Sequence, residues 1–182
     1  MSCKPLVQVD PKTLTGSIKE CAESLGRVVV LVPEGRRLHP VEVAYILYRD
    51  AAVVKIGEKS VTFREFMTLY SRINPMALPF FEVYYELRRR GKLPIPGPRE
   101  NTLVLIRSRR NPKQTHYILV VEEGRPVPIK LLQSFVEEAR HRGLEPVLAI
   151  VDRYGDVTFY TPMVFHPAER PRELEESLEA QD

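Results

Sequence analysis

The chain has 182 residues, with 27 Lys+Arg against 24 Asp+Glu, 43% apolar and 28% charged. That composition describes a globular chain able to bury a core without metal or disulfide support, and it excludes intrinsic disorder. No apolar run reaches the ~18 residues of a membrane helix, and residues 1–10 lack an apolar signal-peptide core, so a cytoplasmic protein with no membrane partner is expected.

Residues 26–33, GRVVVLVP, form a β-branched run bounded by turn residues and read as a strand. His39-Pro40 opens a helix in which Val43, Ile46 and Leu47 fall at helical spacing, with proline in its first turn. A short strand and turn follow over 52–57. Thr62, three residues before Glu65, is placed to cap the helix FREFMTLYSRI, whose Phe63, Phe66, Met67 and Tyr70 read as core. Residues 74–79, with two prolines and little periodicity, read as a linker.

The second half opens with an amphipathic helix over 80–91 that ends at a glycine. A proline-rich turn over 94–98 precedes a strand at 103–106, a basic loop, and a strand at 117–121. Leu131, Leu132, Phe135 and Val136 give the helix over 128–142 one apolar stripe. The fully apolar run at 147–151 is expected to be a central strand, and 157–164 to return beside it as an antiparallel partner across a tight turn. The fold expected is α/β (α+β). A small mixed N-terminal domain (1–77) precedes a C-terminal α/β domain (78–165) with a mixed sheet flanked by helices. An acidic mobile tail (166–182) closes the chain, with six acidic residues and two arginines, and the remainder of the chain carries +7.

Chemistry-bearing motifs are few. Cys3 and Cys21 form no CxxC and have no histidine at ligand spacing, so neither zinc nor a disulfide framework is expected, and a reducing compartment fits. Phosphate-cradling glycine motifs, HExxH and the GxSxG elbow are all absent, and no cofactor or metal is expected. Basic residues cluster at Arg88, Arg89, Arg90 and Lys92 and again at Arg107, Arg109, Arg110 and Lys113. Such clusters suit phosphate contact or simply a solvated face. His116, at the edge of the second basic cluster, reads either as a general acid near a phosphate or as a surface histidine at a strand start.

The segment FEVYYELRRRGKLPIPG resembles the "Y-x-VY-x-DLR-x-RG" helix that opens the catalytic domain of archaeal tRNA-splicing endonucleases. VLAIVDRYGDVTFYTP resembles that family's "lvlAvVD-x-dgDv-x-yY" strand–turn–strand, and the elements between follow in the same order over about residues 80–164. The resemblance implies metal-independent cleavage of precursor tRNA by a tyrosine, a histidine and a lysine, leaving a 2′,3′-cyclic phosphate and a 5′-hydroxyl. Here the tyrosine position falls near Arg107, the histidine position at Gln114, with His116 two residues on, and the lysine position at Leu144 or Glu145. If the strand is extended, His116 shares Gln114's face.

A triad so depleted resembles the non-catalytic structural subunit of the heterotetrameric enzymes in that family. The partners implied are a catalytic sister subunit, two of each chain, and precursor tRNA. The resemblance also implies subunit contacts through the acidic turn, Asp152 and Asp156, and through the last strand at Val157, Phe159 and Tyr160. RNA contacts would fall on Arg88, Arg89, Arg107, Arg109, Arg110 and Lys113. Two other readings stand beside this one: a self-sufficient RNA endonuclease using His116, and a stand-alone RNA-binding module.

Overall fold

The computed structural model describes residues 3–31 and 37–162. Among these residues two mixed sheets and four helices make an α+β fold. The first sheet has the order β2-β1-β3-β4, from β1 (Leu6–Val9), β2 (Gly16–Glu20), β3 (Val53–Ile56) and β4 (Lys59–Ser60). β1 pairs antiparallel with β2 and parallel with β3. Alternation sends Val7, Val9 and Val54 into the core. Gly16 lies so close to its neighbours that a Cβ there would stand 2.8 Å from Val43 and 2.9 Å from Val7, so only glycine closes this corner.

Helix α1 (Pro40–Tyr48) covers that sheet. His39 caps it: its Nδ1 accepts from Val41 N–H, while the Glu42 carboxylate accepts from His39 N–H. Helix α2 (Phe63–Ile73) has the expected box, with Thr62 and Glu65 exchanging side-chain-to-backbone hydrogen bonds. Helix α3 (Ala77–Arg89) then packs on α1 and α2 and, on its other side, on the second sheet, and one apolar cluster extends from Val7 and Val54 through it to Leu103, Ile118 and Val147.

The second sheet has the order β5-β6-β7-β8-β9. Its strands are β5 (Pro94–Pro96), β6 (Thr102–Ile106), β7 (Gln114–Glu122), β8 (Glu145–Val151) and β9 (Val157–Tyr160). Only the β7–β8 pair is parallel, and it is bridged by α4 (Ile129–His141). One face meets α3 through Leu105, Ile118, Val147 and Ala149. The other meets α4 through Val104, Tyr117, Leu119, Phe135 and Val136.

Several sequence expectations need correction. Residues 26–31 are not a strand: a 3-10 helix (Ala22–Leu25) runs into turns, and Val29 and Val30 fill the core from a loop. Val32 and Pro33, which complete that expectation, lie outside the described residues. The linker over 74–79 is short, because α3 starts at Ala77. Pro79 sits in its first turn, where a missing N–H costs no helical bond. The turn over 94–98 contains edge strand β5, a place that tolerates proline. β7, not β8, is central. β9 ends at Tyr160; Val164 and the acidic tail fall outside the described residues. Cys3 and Cys21 form a disulfide, which ties the approach to β1 to the start of the 3-10 helix. Among the described residues no helix is long and apolar enough to cross a membrane.

Candidate functional site

β6 ends, and β7 and β8 begin, at the same end of the second sheet, because β6 runs antiparallel to β7 and β7 parallel to β8. That topology gathers residues 107, 114, 116 and 145, which are far apart in sequence. Arg107 follows β6 directly, and its N–H donates to the Lys113 carbonyl at 2.8 Å, closing the basic loop. Gln114 opens β7 and is exposed.

The pairing then shifts: Leu105 lies opposite His116 and Ile106 opposite Gln114, so Thr115 is an extra residue in β7. This bulge interrupts the alternation on which a face common to Gln114 and His116 depends. It also sets the histidine's environment. The Thr115 hydroxyl donates to the Leu105 carbonyl at 3.2 Å, which spends its only hydrogen. The His116 Nδ1–H therefore donates to Thr115 Oγ1, at 2.8 Å. Nε2 faces Glu145 Oε2 at 3.3 Å across the parallel β7–β8 pair. Each ring nitrogen of His116 thus faces a group of the chain itself: Nδ1 is hydrogen-bonded to Thr115, and Nε2 stands beside a carboxylate that it would pair with only as the charged imidazolium.

Leu144 is buried in the cluster beneath α4, while Glu145 is exposed and points to the α3 side. Lys130 stands on the first turn of α4, at the far end of that helix. His116 and Glu145 line a cavity of about 260 Å³. Its apolar floor comes from Leu87, Leu105, Ile118 and Val147, with Arg90 and Lys92 at its rim. Tyr160 also lines it. By alternation, however, Tyr160 pairs with Leu148 on the α4 side, while Phe159 pairs with Ala149 on the α3 side, so the phenol does not face His116. Lys92 is a cavity residue that the motif comparison passed over. Its only sequence signal is its place beside the arginine run.

The basic clusters divide when their partners are seen. Arg88 donates to the Arg27 carbonyl at 3.1 Å and stacks over Tyr45 at 5.3 Å. Arg109 reaches the same carbonyl at 3.2 Å and that of Val29 at 3.4 Å. Burial, and then the neighbouring Arg88 cation, hold the Arg109 guanidinium below its usual pKa. Arg89 makes a two-pronged contact with Glu86, which also takes Arg90, and together they hold the Glu86 carboxyl down at about 2. Arg107, Arg110, Lys113 and Lys92 are exposed and have no side-chain partner among the described residues.

At the opposite end of the sheet, Asp152 Oδ1 accepts from Tyr154 N–H at 2.8 Å and Asp156 N–H at 2.9 Å, and Gly155 takes a φ of 87°. Asp152 thus builds the turn, and Asp156 is exposed. On β9, Val157 and Phe159 pack on the core and Tyr160 is exposed. Among the described residues no strand pairs with the outer edge of β9.

Residues 79–159 match the family described as tRNA intron endonuclease, catalytic C-terminal domain, a stretch that runs from α3 to β9. The chain is 28% identical over 135 residues to a tRNA-splicing endonuclease of Methanosarcina acetivorans and 29% identical over 135 residues to one of Methanosarcina barkeri. In each case the alignment covers 70% of this chain and 37% of the relative. The chain thus spans little more than a third of the length of these relatives.

Proposed function

We propose that this chain is a non-catalytic, structural subunit of a tRNA-splicing endonuclease, acting on precursor tRNA in the cytoplasm beside a catalytic sister chain, two copies of each. The observation that carries the reading is the end of the sheet where β6, β7 and β8 meet. There the chain presents Arg107, Gln114 and Glu145. None of these supplies a phenol base, a leaving-group acid and an ammonium for the phosphate together. His116, the nearest substitute, is hydrogen-bonded to Thr115 through Nδ1 and has its Nε2 beside the Glu145 carboxylate, where a phosphate would be repelled. Asp156, Tyr160 and the outer edge of β9 are the proposed contacts with the sister subunit, with Asp152 shaping the turn that presents Asp156. Arg107, Arg110 and Lys113 are the proposed RNA contacts.

The test is reconstitution. The isolated chain leaves precursor tRNA intact. Mixed with a homologous chain carrying the full triad, it supports intron excision without added divalent metal. Cleavage by the isolated chain, abolished by His116→Ala, would overturn this reading and establish a self-sufficient nuclease. RNA binding with no assembly would leave a stand-alone binding module.

A further inference from the structure

The cavity beneath His116 has the size and rim for a nucleotide, yet one carboxylate stands inside it. Arg90 shares the Glu86 carboxylate with Arg89 and lies over Phe159 at 5.4 Å, so it is partly compensated, and among the described residues Lys92 is the rim cation with no side-chain partner. Glu145 sits at the start of β8 on the α3 side, with its carboxylate 3.3 Å from the ring nitrogen of His116. That nitrogen is the one free of the Thr115 hydroxyl, and so the edge through which an incoming phosphate would bond. A phosphate at that edge would meet a like charge within a few ångströms, offset by Lys92 and by the partly compensated Arg90.

From this geometry we infer that Glu145 is a specificity-determining residue which excludes RNA phosphate from the cavity of this chain. This rests on the structural-subunit reading and extends it. In an assembly with two kinds of subunit, a precursor RNA would otherwise find two similar pockets, one of them unproductive. A glutamate at this strand start removes the unproductive register by charge repulsion, while the flanking cations Arg107, Arg110 and Lys113 still attract the RNA backbone to that end of the sheet. The device costs little stability, because Glu145 is 54% exposed and fills no core space.

The experiment uses the full chain alone, so it is independent of whether a sister subunit exists. A short fluorescein-labelled oligouridylate is titrated into wild type, Glu145→Gln, Glu145→Gln combined with Lys92→Ala, and Glu137→Gln. The last removes an equal charge from the exposed face of α4. Glu145→Gln is expected to tighten binding by about fivefold at low salt, a gain that shrinks as salt rises and vanishes in the Lys92→Ala combination. Glu137→Gln is expected to change binding by less than about twofold. Inorganic phosphate should shift the His116 ring signals in nuclear magnetic resonance spectra of Glu145→Gln and leave those of wild type in place. Equal gains in Glu145→Gln and Glu137→Gln would overturn the inference, as would phosphate perturbing His116 in wild type. Failure of the structural-subunit reading would appear instead in reconstitution, as cleavage by the isolated chain.

Discussion

The first sheet buries one face, whereas the second is enclosed on both. In β1 and β3, Val7, Val9 and Val54 face the core, while Leu6, Gln8 and Lys55 between them are only half-buried. In β6 every residue from Thr102 to Ile106 is buried, odd positions toward α3 and even ones toward α4. Enclosure on both sides suits a scaffold that must hold chemical groups in register, and the His116–Glu145 pair is placed by that register. The half-covered sheet relies on local fasteners instead: the Cys3–Cys21 bridge, two capping boxes, and the Arg88 and Arg109 contacts to the 3-10 loop.

The largest effect should come from removing what the two sheets have in common. Phe80 on α3 is 1% exposed and belongs to the cluster that spans both. Phe80→Ala is expected to cost about 3–5 kcal/mol and to lower both sheets together in one transition. Separate transitions, seen by hydrogen exchange at β1 and at β7, would break the continuity of the core and establish residues 1–77 and 78–165 as independent folding units.

Next in size is the disulfide, which closes a loop with a sequence separation of 18. Cys3→Ser with Cys21→Ser should destabilise by about 2–4 kcal/mol in urea titration without reductant. Exchange protection should fall in β1 and β2 and hold in β6 to β8. Equal loss in both sheets would show that the bridge supports the whole core and not the weaker sheet. Smaller again is Arg109→Met, which keeps the stem and removes the donors to Arg27 and Val29. About 1 kcal/mol is expected, with faster exchange confined to residues 25–31. Unchanged exchange there would free Arg109 for the RNA role that its sequence position suggests.

The legible parts of this chain are those encoded by neighbours. Thr62 and Glu65 announce the start of α2 in four residues, and the turn formed by Asp152, Gly155 and Asp156 announces the last hairpin. The runs in β6, β7 and β8 are apolar because both their faces are covered, so they too read plainly. What escaped notice depends on distant partners. β1 pairs in parallel with β3 across more than forty residues, and its four residues carry too short an alternation to stand out. Val28, Val29 and Val30 imitate a strand because a core can be filled from a loop whose carbonyls are satisfied by arginines from the other half. For the same reason Arg88 and Arg109, expected on RNA, also hold that loop from the other half of the chain. In the candidate site the separate positions were visible, but the meeting of His116 with Glu145 is a product of the β7–β8 register.

The smallest predicted effect concerns the capping box at the start of α2, and it is seen only through pH. The Glu65 carboxyl is lowered from 4.5 to about 2, first by the Thr62 backbone N–H and then by Lys59. A carboxylate depressed by folding contributes stability above its unfolded value, so this contribution is complete above about pH 5 and fades as pH falls toward 2. Glu65→Gln retains a side chain that can accept from Thr62 N–H and loses only the charge. The variant should therefore be slightly less stable than wild type at neutral pH and indistinguishable from it near pH 2, with the difference closing between those limits. Glu86→Gln, on α3, should behave alike, because the arginines at 89 and 90 hold its carboxyl at about 2 as well. Denaturant midpoints measured across the acid range give the comparison. A Glu65→Gln difference that persists unchanged to pH 2 would mean that geometry, not charge, holds the start of α2, and would remove this electrostatic fastener from those that support the half-covered sheet.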